Sequence, residues 1–229
     1  MWSWACSIRK SGRRSGVISP GGSSDGKVLP TEDHERNRVP ILLKYTATQA
    51  QDLLVRAELL VTPAQVCTAV ARVADEIAMA LRDQQPLVLA VMRGGVVFAG
   101  HLLPLLQFPL DFDYVDVSRY GNATQGGELQ WRKDVLPAVH GRVVLLIDDI
   151  LDEGRTLAAV RERLLKQGAQ RVLIAVFADK KLPRTKPVAA DFTGVQVPDR
   201  YVFGFGMDVH GLWRNLPAVY ALDPDKPVA

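Results

Sequence analysis

Residues 143–156 read VVLLIDDILDEGRT, and this stretch indicates the fold class. Its apolar run, Val143 to Ile147, predicts a strand with both faces buried, as in a parallel sheet covered by helices. Two acids, Asp148 and Asp149, follow directly, and a third opens the turn Asp152–Thr156 that leads into a helix. Ligands of open parallel sheets bind beyond the carboxyl ends of the strands. We therefore expect these acids to lie at a crevice and to be partly solvated.

Strands and helices alternate on both sides of this stretch. Thr62 is the predicted N-cap of a helix that begins at Pro63. Its apolar residues recur at helical spacing, at Val66, Val70, Val73, Ile77 and Leu81. The other predicted elements are strands at 86–92, 110–120, 142–148 and 171–178, a tight turn at 93–95, a helix at 96–106 that continues past Pro104, and a helix at 155–168 that ends at Gly168. This alternation predicts an α/β fold with a largely parallel twisted sheet flanked by helices.

The composition bounds the class of protein. Hydrophobic residues make up 48% of the chain, and the net charge of +3 is too small to indicate a nucleic-acid partner. The two cysteines, Cys6 and Cys67, have neither disulfide nor metal-site spacing, which favours a reducing compartment and predicts a cytoplasmic protein. No apolar run approaches the roughly 20 residues that cross a membrane, so no membrane partner is expected.

Residues 1–38 are expected to lie outside the folded domain. The first 24 residues hold four Arg or Lys and no acid, and the segment contains glycine and serine clusters. We expect a disordered basic extension, or sequence upstream of the true start, followed by one folded domain at 39–229.

The acids beside the glycine turn indicate a particular ligand chemistry. The turn at Gly154 and the helix start after it direct backbone N–H groups toward one spot, which forms an anion site, and Thr156 adds a hydroxyl. Carboxylates repel a phosphate unless a sugar or a cation lies between them. Ribose hydroxyls can donate to Asp148 and Asp149, and Mg²⁺ can bridge the remaining charge. The alternative is that the acids simply end a strand and cap a helix.

The whole string closely resembles the phosphoribosyl-pyrophosphate signature of the type I phosphoribosyltransferases. Other segments resemble the hypoxanthine-guanine branch of that family in the same order along the chain. They are the pyrophosphate loop at Val91–Gly95 (VMRGG), the flexible closing loop at 118–131 (SRYGNATQGGELQW), a base-reading lysine at Lys180 in ADKK, and the C-terminal hood at Val197–Pro217. The resemblance covers roughly residues 45–222. In the family's pyrophosphate loop, the peptide between the residues that match Met92 and Arg93 is typically cis.

The resemblance implies the family's fold, with a small hood subdomain built mainly from about residues 180–222. It also implies a pentosyl transfer: a 6-oxopurine takes the phosphoribosyl group of phosphoribosyl pyrophosphate, which gives IMP or GMP and pyrophosphate in purine salvage. Mg²⁺ is the implied cofactor, and a homodimer or homotetramer is the implied assembly.

The resemblance further assigns roles around the ribose. Asp148 and Asp149 take the ribose hydroxyls and, through water, the metal shell. The turn Asp152–Thr156, here called the phosphate turn, holds the 5′-phosphate through Asp152, Glu153, Gly154, Arg155 and Thr156. The remaining implied contacts to phosphoribosyl pyrophosphate are Met92, Arg93, Gly94, Arg119, Tyr120 and Arg214. Asp152 faces purine N7 as the general acid/base, and its alternative role from the residues alone is a helix N-cap.

Four residues are implied to bind the purine. Lys180 donates to the 6-oxygen, Tyr201 stacks on the base, and backbone groups near Val202 and Asp208 meet its edge. Asp208 is also the implied ligand of a Mg²⁺ that bridges pyrophosphate oxygens. Without the resemblance, a solvated lysine and a packing tyrosine would explain Lys180 and Tyr201 equally well.

Three positions depart from the family's pattern. Glu153 stands where the phosphate turn often has a small hydroxyl residue, which puts an acid beside the phosphate. Arg155 replaces a common lysine and keeps its charge. Arg119 precedes Tyr120 where serine is usual, and it either reaches pyrophosphate or is simply exposed.

Two other functions compete with this hypothesis. A xanthine-preferring transferase would differ in its contacts to the purine 2-substituent, near 202–208. A phosphoribosyltransferase-like regulator would bind nucleotide or RNA without catalysis, but it would need an added DNA-binding domain or a strongly basic face. Asp152, Lys180, Asp208 and Arg214 together favour an enzyme.

Overall fold

The computed structural model describes residues 45–119, 129–133 and 139–223. In chain order its elements are α1 (Ala47–Arg56), β1 (Glu58–Val61), α2 (Pro63–Leu81), β2 (Leu87–Met92), α3 (Gly95–Leu102), a 3₁₀ turn (Leu103–Leu105), β3 (Asp111–Arg119), β4 (Leu129–Lys133), β5 (Val143–Leu151), α4 (Arg155–Lys166), β6 (Arg171–Lys180), β7 (Phe192–Val197), β8 (Val202–Phe203) and β9 (Val219–Ala221).

A six-stranded sheet with the order β4-β3-β2-β5-β6-β7 forms the centre of the fold. Strands β3, β2, β5, β6 and β7 are parallel to one another, and β4 joins the edge antiparallel to β3. The predicted α/β fold with a largely parallel sheet is therefore confirmed. Strands β4 and β7 were not predicted from the sequence, and residues 129–131 of β4 belong to the stretch predicted as the closing loop.

Apolar side chains of the central strands pack on both faces of this sheet. In β5, Val143, Leu145 and Ile147 belong to a core that also contains residues of α2 and α3. Val144 and Leu146 point the other way, into a core shared with α4. All five are at most 5% exposed, which is why β5 reads as a continuous apolar run rather than an alternating one.

Helix α2 begins where the sequence predicts. The Thr62 hydroxyl accepts a hydrogen bond from the Gln65 N–H at 3.3 Å, and the Gln65 side chain accepts one from the Thr62 N–H at 2.8 Å. This reciprocal capping box satisfies donors at the helix start that have no partner within the helix. The helix predicted at 96–106 is shorter than expected. It ends at Leu102 and continues only as a 3₁₀ turn, because Pro104 has no N–H to donate to the preceding turn.

A second, three-stranded antiparallel sheet has the order β1-β9-β8. Strands β8 and β9 come from the predicted hood region, whereas β1 comes from far upstream. Behind this sheet, Leu53, Phe203 and Val209 form a small separate core. The hood is thus fixed to the upstream chain by strand pairing across some 160 residues, with Glu58 opposite Ala221 and Val61 opposite Val219.

The chain divides into two units, residues 1–50 and 51–229. The described part of the first unit is residues 45–50, where the Thr46 hydroxyl accepts a hydrogen bond from the Gln49 N–H at the start of α1. The second unit contains both sheets and the cores. The predicted extension at 1–38 lies outside the described residues, so it stays a prediction. In the described part of the chain, no helix is both long enough and apolar enough to cross a membrane.

Candidate active site

The carboxyl ends of β2, β5 and β6 lie side by side because these strands are parallel neighbours. They open into a cleft of about 400 Å³. The predicted site residues that line it are Met92, Arg93, Gly94, Asp148, Asp149, Asp152, Glu153, Gly154, Thr156, Lys180, Tyr201, Val202, Asp208 and Arg214. Residues from four separate stretches of sequence therefore meet in one place.

Some predicted residues are not among those that line the described cleft. Tyr120 lies outside the described residues, and so does the side chain of Arg119 at the end of β3. Arg155 is described, but its Nε lies 3.2 Å from Oε2 of Glu153 and its side chain is more than half exposed. Sequence reasoning missed the apolar part of the lining, which consists of Val91, Val117, Ile150, Leu157 and Met207. Apolar residues of this kind are also typical of a protein core. The only sequence signal that they line the cleft is that they lie next to the motifs.

The two acids that end the apolar run are more buried than expected. Asp148 is 9% exposed and Asp149 is 7% exposed, so the prediction of partial solvation is wrong. The reason is that β5 continues to Leu151, which carries both acids inside the sheet. Backbone N–H groups compensate in part: Asp149 N–H donates to Asp148 Oδ1 at 2.9 Å, and Ile150 N–H donates to Asp149 Oδ1 at 2.8 Å.

Burial has an electrostatic consequence for this pair. It raises the pKa of Asp148 well above its usual value, and the charge of the neighbouring Asp149 raises it further. Burial also raises the pKa of Asp149, while the positive charge of Arg214 acts in the opposite direction. The pair therefore favours partners that donate hydrogen bonds or bring positive charge.

Glycines allow three backbone segments to meet at Asp149. A Cβ built on Gly94 would lie 2.1 Å from Asp149 Oδ2, and one built on Gly206 would lie 2.5 Å from the Gly94 carbonyl oxygen. Gly206 also has a φ of +104°, a conformation that side chains rarely adopt. The pyrophosphate loop, β5 and the hood thus touch through positions where a side chain has no room. The peptide between Met92 and Arg93 is cis, as the resemblance implied.

Asp152 and Lys180 form an ion pair inside the cleft. Lys180 Nζ donates to Asp152 Oδ2 at 2.9 Å; the lysine side chain is 11% exposed and the aspartate side chain 49%. Helix α4 begins after Gly154, whose φ of +77° is left-handed, so the alternative role of Asp152 as helix N-cap is wrong. Glycine has no side chain to cap the helix, so the first N–H groups of α4 receive no side-chain hydrogen bond from the N-cap residue and can bind an anion.

Arg214 links the hood to the acids of β5. Its guanidinium donates to the Asp208 carboxylate and, at 2.6 Å, to the Gly206 carbonyl oxygen. It also lies 3.7 Å from Asp149 Oδ2. The second oxygen of Asp208 accepts the Gly211 N–H at 2.7 Å. A positive charge is thereby held between two carboxylates of the cleft.

Tyr201 is half exposed at the cleft, and its ring lies 6.4 Å from that of His210, with 26° between the ring planes. An exposed aromatic face beside a cleft can stack on a planar ligand.

A family model for the phosphoribosyl transferase domain matches residues 59–210. The chain belongs to the phosphoribosyltransferase family. Within it, a hypoxanthine-guanine phosphoribosyltransferase of Bacillus subtilis is 34% identical over 168 residues, which cover 73% of this chain and 93% of that relative.

Solved structures support this membership. A hypoxanthine phosphoribosyltransferase of Staphylococcus aureus matches with a TM-score of 0.71 and 27% identity, over 80% of this chain and 98% of that one. A hypoxanthine-guanine-xanthine phosphoribosyltransferase matches with a TM-score of 0.65 and 28% identity, over 72% of this chain and 96% of that one. The expected family and its fold are therefore confirmed, and this phosphoribosyltransferase belongs to the hypoxanthine-guanine branch.

Proposed function

We propose that the protein transfers the 5-phosphoribosyl group of phosphoribosyl pyrophosphate to hypoxanthine or guanine, giving IMP or GMP and pyrophosphate in purine salvage. The observation that carries this proposal is the Asp152–Lys180 pair, which lies in the same cleft as the phosphate turn. A pair that reads the base and an anion site in the same cleft fit a reaction that joins a purine to a phosphorylated sugar.

The pair explains a preference for 6-oxopurines. Lys180 is a donor only, so it can bond the 6-oxygen of hypoxanthine or guanine but not the 6-amino group of adenine. The carboxylate of Asp152 can face N7, the neighbouring atom on the same edge of the purine. With Nζ and Oδ2 2.9 Å apart, the two groups are spaced to meet adjacent purine atoms. Tyr201 is the proposed stacking surface for the base.

The roles proposed for residues on the ribose side of the cleft follow from the charge that develops during the reaction. The expected transition state is oxocarbenium-like, with negative charge that grows on the departing pyrophosphate. Arg214 and the backbone of the pyrophosphate loop at Arg93 and Gly94 would stabilise that charge. Asp148 and Asp149 would accept the ribose hydroxyls, which orients the sugar for attack by the purine. Asp152 would take the proton that leaves N7 as the new bond forms.

The donor set also fits Mg²⁺. The candidate ligands Asp148, Asp149 and Asp208 offer carboxylate oxygens, which Mg²⁺ prefers. The described residues contain no group of three or more possible ligands that would form a site by themselves. That suits an ion that usually binds through one or two carboxylates, water and substrate phosphates. When bound, the ion would neutralise the pyrophosphate and so make it a better leaving group.

A second candidate substrate is xanthine, because one of the similar solved structures is a hypoxanthine-guanine-xanthine phosphoribosyltransferase. Discrimination between xanthine and the other 6-oxopurines would depend on the residues around Val202 and Asp208. A cytoplasmic location and a homodimer or homotetramer stay predictions.

The reaction can be tested through Asp152. We expect Asp152→Asn to lower kcat for pyrophosphate release at least about 100-fold, since general acid–base catalysis contributes about 10²–10⁴-fold. Affinity for phosphoribosyl pyrophosphate should change little, because Asn keeps the size of the side chain. Asp83→Asn, an exposed acid before β2, is the matched control. Unchanged turnover in Asp152→Asn would refute the assigned role.

A further inference from the structure

The connection between β6 and β7, residues 181–191, lies against the phosphate turn. Lys186 Nζ donates to the Leu151 carbonyl oxygen at 2.6 Å, and its side chain is largely buried. A Cβ built on Gly154 would lie 3.4 Å from a side-chain atom of Pro187. The connection is thus anchored at the start of the turn and packed on its glycine, and both contacts lie within three residues after Arg184.

Arg184 and Glu153 form an ion pair at this contact. The Arg184 guanidinium donates to the Glu153 carboxylate, and Arg155 Nε lies 3.2 Å from the other carboxylate oxygen. Two positive groups therefore surround one negative group beside the phosphate turn. The acid that looked unfavourable for phosphate binding is more than neutralised by its surroundings.

The Arg184 side chain faces space that a ligand can enter. It is 61% exposed and borders a cavity of about 870 Å³. Thr156 of the phosphate turn and Lys180 line the same cavity. A guanidinium carries five N–H donors in a planar fork, so one edge can bond a carboxylate while another bonds a phosphate.

We propose that Arg184 is a further binding residue for the 5′-phosphate, and that Glu153 is the positioning residue that holds its guanidinium beside the phosphate turn. This inference rests on the proposed function of the site. Holding a long, flexible side chain in place before binding lowers the conformational entropy lost when the phosphate arrives. Arginine–phosphate hydrogen bonds are charge-assisted and among the stronger ones in proteins.

The two possible roles of Glu153 predict opposite effects of Glu153→Gln on the affinity for phosphate. If its carboxylate only repelled the phosphate, Glu153→Gln would tighten phosphate binding. If it positions Arg184, the same change weakens binding, because the guanidinium is no longer held. Once Arg184 is replaced by alanine, Glu153 has no guanidinium to position in the cavity. Arg155 still pairs with Glu153, but it lines neither the cleft nor the cavity, so the repulsion dominates and Glu153→Gln should then tighten binding.

The experiment is calorimetric titration of the full chain with IMP and with inosine, which lacks the phosphate. We expect Arg184→Ala to weaken IMP binding about tenfold, the value of one charge-assisted hydrogen bond, and to leave inosine binding unchanged. Glu153→Gln should weaken IMP binding about threefold in the wild-type background and strengthen it in the Arg184→Ala background. Arg171→Ala, an exposed arginine at the amino end of β6, the end away from Lys180, is the matched control.

Each outcome decides the proposal. Equal IMP affinities of Arg184→Ala and wild type would overturn the binding role of Arg184, and so would an equal loss for inosine. Tighter IMP binding by Glu153→Gln in the wild-type background would overturn the positioning role of Glu153. Wild-type protein that binds inosine and IMP equally would overturn the inference alone if it still released pyrophosphate, whereas absence of both binding and turnover would overturn the proposed function as well.

Discussion

At the residue scale, the contact between Gly206 and Gly94 controls how closely the hood approaches the pyrophosphate loop. We expect Gly206→Ala to lower stability by at least about 1 kcal/mol, because alanine is strained at positive φ. It should also lower kcat/KM, because the new Cβ would lie 2.5 Å from the Gly94 carbonyl oxygen and 2.9 Å from Asp149 Cβ. Thermal unfolding and steady-state kinetics measure the two effects.

Gly211→Ala separates strain from contact. Gly211 has a φ of +86°, but a Cβ built there meets nothing within 4 Å. Gly211→Ala should therefore lower stability through backbone strain, while its kcat/KM stays near that of wild type. Equal loss of activity in both variants would show that the close approach at Gly206 is not what matters.

Burial of Asp148 affects stability as well as binding. Its pKa is raised in the folded protein, so the native state binds more protons than the unfolded state above the unfolded pKa. Stability therefore falls as pH rises from the unfolded pKa through the raised folded pKa. Asp148→Asn removes this loss and keeps an oxygen that can accept the Asp149 N–H.

We accordingly expect Asp148→Asn to have a higher Tm than wild type at pH 7, by a few degrees if the gain is about 1 kcal/mol. The difference should shrink as pH falls toward the unfolded pKa, and turnover should be lost. Unfolding scans of both proteins across the pH range test this. A lower Tm for the variant at pH 7 would contradict the claim that ionised Asp148 is a cost to the fold.

At the scale of elements, α2 shows what local sequence signals can predict. Its N-cap, first residue and buried face all agree with the pattern of residues, since each depends on neighbours within four positions. We expect Thr62→Ala to lower stability by about 1 kcal/mol and to leave kcat and KM unchanged. Denaturant unfolding is the measurement, with Thr68→Ala on the exposed face of α2 as a control. Equal stability of Thr62→Ala and wild type would contradict the capping role.

Strands β1 and β7 show what local signals cannot predict. Strand β7 is held partly by Arg72 of α2, whose guanidinium donates to the carbonyl oxygens of Thr193 and Gly194 at 2.8 and 2.6 Å. These partners are more than 120 residues apart in sequence. Strand β1 depends in the same way on pairing with β9. Short strands whose partners are distant carry little pattern of their own.

The same reasoning applies to the site. Asp148, Asp149, Asp152 and Gly154 were predictable because strand, acids and turn are adjacent in sequence. The presence of Glu153 could not be explained from the sequence, because its partner Arg184 is 31 residues away. The burial of Asp148 and Asp149 was also missed, since it follows from the length of β5 and the packing of the hood.

At the scale of the whole molecule, the phosphoribosyl transferase domain model matches residues 59–210, so residues 1–38 lie outside the match. We expect that removal of residues 1–38 leaves kcat/KM within about twofold of the full chain and shifts Tm by no more than about 2 °C, because the segment has few apolar residues to bury. Kinetics and thermal unfolding of the shortened chain measure both values. A large loss in either would show that the segment contributes to the folded domain.

The central claim is that this cleft joins phosphoribosyl pyrophosphate to a 6-oxopurine. The most direct test is a competition in which hypoxanthine, guanine, xanthine and adenine are present together at equal concentration, with Mg²⁺ and limiting phosphoribosyl pyrophosphate. The ratio of nucleotide products then reports the ratio of kcat/KM values. We predict that IMP and GMP dominate and that AMP stays near background, since Lys180 cannot bond a 6-amino group. Dominant AMP, or no nucleotide from any of the four bases, would contradict the claim.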